Sequence, residues 1–331
     1  MRQVGDVLAR MTAMQALVTG AAGFIGSTLV DQLLAEGHGV RGVDCFVPFY
    51  AEMDKRANLA GALADHRFEL VAADLRTADV APLLDGVDTV FHLAAQAGVR
   101  TSWAEGFEGY VGLNVLATQR LLEACQDQVP QRVVYASSSS VYGQAKHYPT
   151  TEEDLPAPHS PYGVTKLAGE HLCGLYAANH GVPTVSLRYF TVYGPRQRPD
   201  MAIHRLVEHG LAGTPFPLYG TGEQQREFTN VVDVVRATVA AATADVAPGE
   251  VINVAGGSEA RLSDVIDLVS EAIGRPVVLD KGPPSAGDVT RTGGSTERAR
   301  RLLGWSPQVG LREGIDAQVA WHRSRVAAPT S

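Results

Sequence analysis

The chain lacks a disulfide framework and any obvious set of metal ligands. Its three cysteines, Cys45, Cys125 and Cys173, are an odd number without ligand spacing, which points to a reducing compartment. Its ten histidines are scattered. His204 and His209 lie five apart with no carboxylate motif beside them, so no metal site is expected. Long apolar runs are also missing: nothing approaches the roughly 18 residues of a membrane span. Residues 1–13 contain Asp6 and no apolar core, so they do not read as a signal peptide. They are expected to be a short tail, with Met14 just before the first strand. Together these absences predict a cytoplasmic protein with no membrane partner. Positive charge is in short supply as well. Lys and Arg number 28 against 36 Asp and Glu, a net charge of −8, which argues against a nucleic-acid partner. There is no internal repeat and no low-complexity segment.

What is present suits a globular chain. Its 331 residues are 45% apolar and 19% charged, enough for one large domain or two. Ala16-Leu17-Val18-Thr19 reads as a buried strand, followed by Gly20, Gly23 and Gly26. Ser27 to Glu36 then shows helical spacing, with Leu29, Leu33 and Leu34 on one side and Gly37 at its end. A second strand, Val40 to Asp44, ends in an acid. Strand, glycine turn, helix, strand and acid open a doubly wound sheet that binds a dinucleotide. The glycines let the backbone approach a pyrophosphate, and the helix N-terminus offers it free amides. The spacing is Gly-x-x-Gly-x-x-Gly rather than the commoner Gly-x-Gly-x-x-Gly. Asp44 would accept hydrogen bonds from ribose hydroxyls and repel a 2′-phosphate, so NAD is expected rather than NADP.

Further strands are predicted at Phe68 to Leu75, Val87 to Ala95, Arg132 to Ala136 and Thr184 to Tyr189. Asp74 should lie near the adenine. The small residues after His92 permit close contact with a cofactor, and His92 itself reads as a core residue. Long helices are expected around Tyr110 to Asp127 and Pro161 to Asn179. Their apolar stripes suit packing across a homodimer or packing within one subunit. Alternating strands and helices call for an α/β parallel sheet with helices on both faces.

The second helix carries the chemistry. Ser160 is a suitable N-cap and Pro161 a suitable first residue. Tyr162 and Lys166 then share one face, a turn apart. A phenol is a poor base at its usual pKa of about 10. A neighbouring ammonium should lower that value and make a base usable near neutral pH. Just upstream, the strand ending at Ala136 leads into Ser137 to Ser140. After Tyr189 the texture changes to turn-rich, basic loops. We therefore expect a dinucleotide-binding domain at 14–190, with segments near 228–241 and 251–254 returning to it. A smaller substrate domain would span 191–325.

These pieces together resemble extended short-chain dehydrogenase/reductases, of Rossmann type, acting on nucleotide sugars. The matching stretches are Thr19 to Gly26, Asp74-Leu75, His92 to Ala95, Ser138 to Gly143, Tyr162 with Lys166, Arg188-Tyr189-Phe190, Arg226-Glu227-Phe228 and Leu303 to Pro307. Within that family, Gln96 to Arg100, Thr191 to Ala202 and Gly287-Asp288-Val289 are similar to UDP-glucuronate 4-epimerases. Simple UDP-glucose epimerases usually carry Asn where this chain has Thr191, and Arg where it has Ser285.

The resemblance implies a set of roles. Tyr162 is the acid/base, Lys166 binds the nicotinamide ribose and tunes it, and Ser138 bonds the reacting hydroxyl. NAD is held by Gly20, Gly23, Phe24, Ile25, Gly26, Asp44, Asp74, Leu75, Leu93, Ala94, Ala95 and Tyr189, besides Tyr162 and Lys166. The UDP-sugar is met by Arg100, Ser138, Ser139, Ser140, Thr191, Arg198, Tyr219, Arg226 and Asp288. Dehydratases of this fold place Asp-Glu after the reactive Ser or Thr, and decarboxylases usually keep the Glu. Ser139 and Ser140 occupy those positions here, and neither is an acid at neutral pH. The implied activity is NAD-dependent inversion of carbon 4 of UDP-glucuronate. The alternatives are a UDP-glucose or UDP-N-acetylglucosamine 4-epimerase, a UDP-glucuronate decarboxylase, and a non-enzymatic NAD-sensing regulator. Such regulators tend to lose the Tyr-Lys pair that this chain keeps.

Overall fold

The computed structural model describes residues 13–103, 106–283 and 291–327. Asp288 and the tail 1–12 lie outside the described residues. Strand β1 (Gln15–Thr19) passes through the glycine turn into α1 (Phe24–Ala35), and β2 (Gly39–Asp44) follows. Next come α2 (Glu52–Asn58), β3 (Phe68–Ala72) and β4 (Thr89–His92). A helical run is built from α3 (Phe107–Tyr110), a π-helical segment (Val111–Leu116) and α4 (Ala117–Asp127). Then follow β5 (Arg132–Ser138), α5 (Pro161–His180) and β6 (Thr184–Tyr189). With β10 (Glu250–Val254) these strands form a seven-stranded sheet, in the order β10-β6-β5-β4-β1-β2-β3. Every pairing in it is parallel. The order reverses between β1 and β4, and that reversal opens a crevice at the carboxyl ends of the strands. Parallel sheets covered on both faces need near-continuous apolar strands. Every residue of β6 is accordingly buried.

Several boundaries differ from the sequence reading. The third strand stops at Ala72, before Asp74 and Leu75, because Asp74 turns the chain by accepting from the Arg76 amide at 2.9 Å. The fourth stops at His92. The fifth runs on to Ser138, whose register partner is Tyr189, so this serine belongs to the strand rather than to a loop. The helix expected over Tyr110 to Asp127 is interrupted by the π-helical turn. Such turns bring a side chain into an otherwise unreachable position. Here it is Asn114, 1% exposed, which accepts from the Gln96 amide at 2.7 Å and donates to Thr165 at 2.9 Å. It ties the loop after β4 to α5.

The remainder comprises β7 (Thr191–Tyr193), α6 (Ala202–Ala212), β8 (Phe216–Tyr219), β9 (Gln225–Asn230) and α7 (Val231–Thr243). After β10 come β11 (Ser258–Arg261), α8 (Leu262–Ile273), β12 (Leu279–Gly282), β13 (Arg291–Thr292), α9 (Glu297–Leu303) and α10 (Leu311–Ala327). Strands β7, β11 and β13 gather around β9, and β8 pairs with β12. Of the segments expected to return to the main sheet, β10 does so as an edge strand. The 228–241 stretch does so only through α7. Val234, Val235 and Ala237 share a core with Val134, Leu187 and Val254. Helices α6, α8 and α10 enclose a separate core around Leu206, Val269 and Ile315. The Trp305 indole donates to the Asp233 carbonyl at 2.9 Å, which fastens the Leu303 to Pro307 stretch to α7. No described helix is long and apolar enough to cross a membrane.

Candidate active site

The glycine turn is shaped by close approach. Gly20 has φ +69°, and a Cβ on Gly26 would stand 2.1 Å from the Gly20 carbonyl oxygen. A Cβ on Gly20 would meet the Ala94 amide nitrogen at 2.9 Å. The turn can therefore lie against the loop after β4 only without side chains. Every residue assigned above to the cofactor lines one cleft that opens there, from Gly20 and Asp44 to Tyr162, Lys166 and Tyr189. Asp44 is among them. One carboxylate oxygen accepts from the Ala22 amide at 3.1 Å and the other from Phe46 at 2.8 Å. A carboxylate has about four acceptor sites, so ribose hydroxyls still find partners. Asp74 is gripped by Arg76, whose hydrogen bonds hold its carboxyl below the usual range. The glycine cradle, the helix N-terminus and the free acceptors of Asp44 fit a dinucleotide.

The cleft also holds a basic residue that the sequence reading did not single out. Lys55 is buried and lines the same cleft. Its ammonium donates to the Val47 carbonyl at 2.8 Å. Phe49, Tyr50 and Gln96 also line the cleft without having been foreseen. No spacing rule points to them, because the loops after β2 and β4 bring them in.

Helix α5 starts as expected. Ser160 Oγ accepts from the Gly163 amide at 3.1 Å, and Pro161 is the first residue of α5. Gly163 has a second task. A Cβ there would lie 2.5 Å from the Ser140 carbonyl oxygen. This close approach sets Tyr162 against the end of β5, and its hydroxyl is hydrogen-bonded to Ser138. Ser138 Oγ also accepts from the Ser140 amide at 3.1 Å, which closes the tight turn Ser139–Val141.

The electrostatics correct a second expectation. Burial pushes the Tyr162 phenol above its ordinary range, against the opposing pull of the Ser138 bond and the Arg198 charge. Lys166 is not what lowers it. Burial pushes the Lys166 ammonium itself down to about 8. Its proton is directed at the Ala136 carbonyl, 2.8 Å away, and it lies 5.0 Å from the Tyr135 ring centroid. His92 is held between Thr19 at 2.7 Å and Thr118 at 2.9 Å, and burial lowers it to about 3. It braces the sheet.

Beneath the site lies a buried network the sequence did not announce. Arg188 pairs with Glu170 through two bonds, at 2.9 and 2.8 Å. It also donates to the Tyr142 hydroxyl at 2.7 Å, which in turn donates to Asn253 at 2.7 Å. Ser137 donates to Glu170 as well. The network joins β5, α5, β6 and β10 directly under Ser138 and Lys166.

The residues assigned to the substrate fall into groups. Arg198 lines the cofactor cleft and acts on Tyr162 through its charge. Its Nε and Nη2 are engaged by Asp200, at 2.9 and 3.0 Å. Thr191 opens β7, opposite Phe228 of β9. Arg100 stacks on the Tyr219 ring, 5.2 Å from its centroid, so two residues far apart in sequence meet. Arg226 donates to the Gln225 carbonyl at 2.8 Å and pairs in register with Thr292.

Comparison with known proteins agrees with this geometry. The model of the NAD dependent epimerase/dehydratase family matches residues 16–255. An uncharacterized UDP-glucose epimerase, YtcB, of Bacillus subtilis (strain 168) is 43% identical over 309 residues, covering 93% of this chain and 98% of the relative. A UDP-glucuronate 4-epimerase of Thermodesulfobacterium geofontis is 34% identical, with 94% and 96% covered. The crystal structure of UDP-glucuronic acid 4-epimerase from Bacillus cereus, in complex with UDP-glucuronic acid and NAD, superposes with a TM-score of 0.91. It is 42% identical, with 94% of this chain and 100% of that chain covered. A cleft built for NAD and a family match over most of the chain lead to one conclusion: the chain belongs to the NAD dependent epimerase/dehydratase family.

Proposed function

We propose that this protein is a UDP-glucuronate 4-epimerase, converting UDP-glucuronate to UDP-galacturonate. The observation that carries the reading is that Tyr162 and Arg198 meet in the NAD cleft with Ser138 hydrogen-bonded to Tyr162, and that serines stand at 139 and 140 where elimination would need acids. Carbon 4 of the sugar bears no acidic proton, so direct deprotonation is impractical. When bound, NAD supplies a hydride acceptor that returns the same hydride to either face of the ketone, and its oxidised ring adds a positive charge. Tyr162 takes the proton of the 4-hydroxyl, and Ser138 orients that hydroxyl. Lys166 holds the ribose. The main sheet, residues 14–190 with β10, carries the cofactor, and the 191–325 part carries the UDP-sugar, with Arg100, Tyr219 and Arg226 around the diphosphate.

A 4-keto glucuronosyl group is a β-keto acid and loses carbon dioxide when the breaking bond lies perpendicular to the ketone plane. The epimerase must hold the carboxylate away from that alignment. Arg198, with Nη1 not engaged by Asp200, and Thr191 are the residues we assign to this clamp. Arg198→Ala should weaken use of UDP-glucuronate by roughly 1.5–3 kcal/mol and raise the share of decarboxylated product. A panel of UDP-sugars checks this. An equal loss towards UDP-glucose would show that Arg198 supports the loop or the diphosphate instead. A wild type that prefers UDP-glucose would refute the glucuronate reading.

The partner is a second copy of this chain. Val111 and Leu116 of the π-helical turn, with Val164 and Leu175 of α5, are exposed apolar residues on adjoining helices. Sedimentation should give a dimer for the wild type and a monomer for Leu175→Glu. A monomeric wild type would end this assignment. The cytoplasm is the compartment we assign, in keeping with three free cysteines.

A further inference from the structure

His204 and Glu208 stand one turn apart on α6, and His322 faces them from α10. Their ligand atoms lie within 4.8 Å of one another. The two imidazoles meet edge to face, with ring centroids 4.4 Å apart. His204 Nδ1 faces the Gln197 carbonyl. A carbonyl only accepts, so Nδ1 carries a hydrogen and, in the neutral ring, Nε2 presents a lone pair. That lone pair points at Glu208 Oε1, 3.3 Å away. Two lone pairs face each other there unless a proton or a metal ion lies between them. His322 supplies a second imidazole nitrogen without a partner among the described residues. It is 6% exposed, and its Nε2 is buried with no hydrogen-bond partner.

We propose that His204, Glu208 and His322 bind a divalent transition-metal ion of the zinc class, bridging α6 and α10 outside the catalytic cleft. Two imidazoles and one carboxylate form a three-residue zinc set that leaves a fourth position to water. Ligand atoms about 2.0–2.1 Å from a tetrahedral zinc stand about 3.4 Å apart. The His204–Glu208 pair already has that spacing, and the wider contacts close by rotation of exposed Glu208 and small shifts of the rings. The hydrogen bond from His204 Nδ1 to a backbone carbonyl is the outer-shell support that ligating histidines use. The neighbouring cation, Arg325, is occupied by Asp54 and lies over the Trp321 ring. Imidazole ligands favour zinc, cobalt, nickel or copper over magnesium and calcium. The sequence expectation of no metal site weighed His204 against His209. The third ligand arrives from a helix at the other end of the chain, which spacing does not reveal. The ion would also brace the Gln197 carbonyl, next to Arg198.

The test is titration of tag-free, chelator-stripped protein with Zn²⁺ or Co²⁺. The expected result is one ion per chain, the visible absorption of tetrahedral Co²⁺, and no response to Mg²⁺. Trp321 lies 4.8 Å from the His322 ring and 6.0 Å from that of His204, so Co²⁺ should quench its fluorescence. Zn²⁺ should raise Tm by a few degrees. Affinity should fall at least about tenfold in both His322→Asn and Glu208→Gln. Glu208 is exposed, so its variant folds and decides the matter even if His322→Asn does not. Absence of stoichiometric binding, or unchanged affinity in Glu208→Gln, would overturn the proposal.

Discussion

Tyr162→Phe lowers turnover by about 10²–10⁴-fold, the usual worth of a positioned acid/base group, while the protein stays folded and still binds UDP-sugars. The ring contact survives, because Tyr162 packs edge-on against Tyr110 with centroids 6.2 Å apart, and Phe keeps that geometry. The lost hydroxyl does not orphan Ser138, which still accepts from the Ser140 amide. The helix start rests on Ser160, not on Tyr162. Steady-state kinetics, circular dichroism and a UDP-sugar binding isotherm check the three parts. A rate loss under about fivefold would reassign the base. The pH profile adds a sign. Since burial raises the phenol, the active phenolate becomes more abundant with rising pH. The wild-type rate should therefore climb through the neutral range, and Tyr162→Phe should flatten that climb.

Arg188→Met destabilises the fold by about 3–5 kcal/mol, because it leaves Glu170 buried without its partner. Both side chains are almost fully enclosed, at 5% and 4% exposure. The arginine alone holds Glu170 at two points and Tyr142 at a third. The double variant Arg188→Met, Glu170→Met removes both charges and should recover most of the loss. Urea unfolding of the two variants measures this. Equal destabilisation by single and double variants would mean that shape, rather than the stranded charge, is what matters.

The part of this site legible in the sequence is the part made from local signals. The glycine turn, Asp44 and the Ser160-Pro161-Tyr162 helix start lie within short stretches, where backbone geometry and capping decide the residue types. The hidden part comes from long-range packing. Lys55 enters the cleft from α2, and Glu170 meets Arg188 across the α5–β6 boundary. His322 reaches His204 from the last helix. For a related reason, Lys166 does not lower Tyr162. Spacing places two side chains on one face of a helix, but burial and the Ala136 carbonyl decide where the ammonium points. Strand ends were misplaced where apolar patterning continues past the last paired residue, as at Leu75 and Ala95.

Epimerisation in this cleft should proceed by oxidation and reduction at carbon 4 without exchange of its hydrogen. The most direct measurement incubates purified protein, with no added cofactor, with UDP-glucuronate deuterated at carbon 4. The expected product is UDP-galacturonate that keeps its deuterium at carbon 4. Loss of the label to water, or no conversion at all, would contradict it.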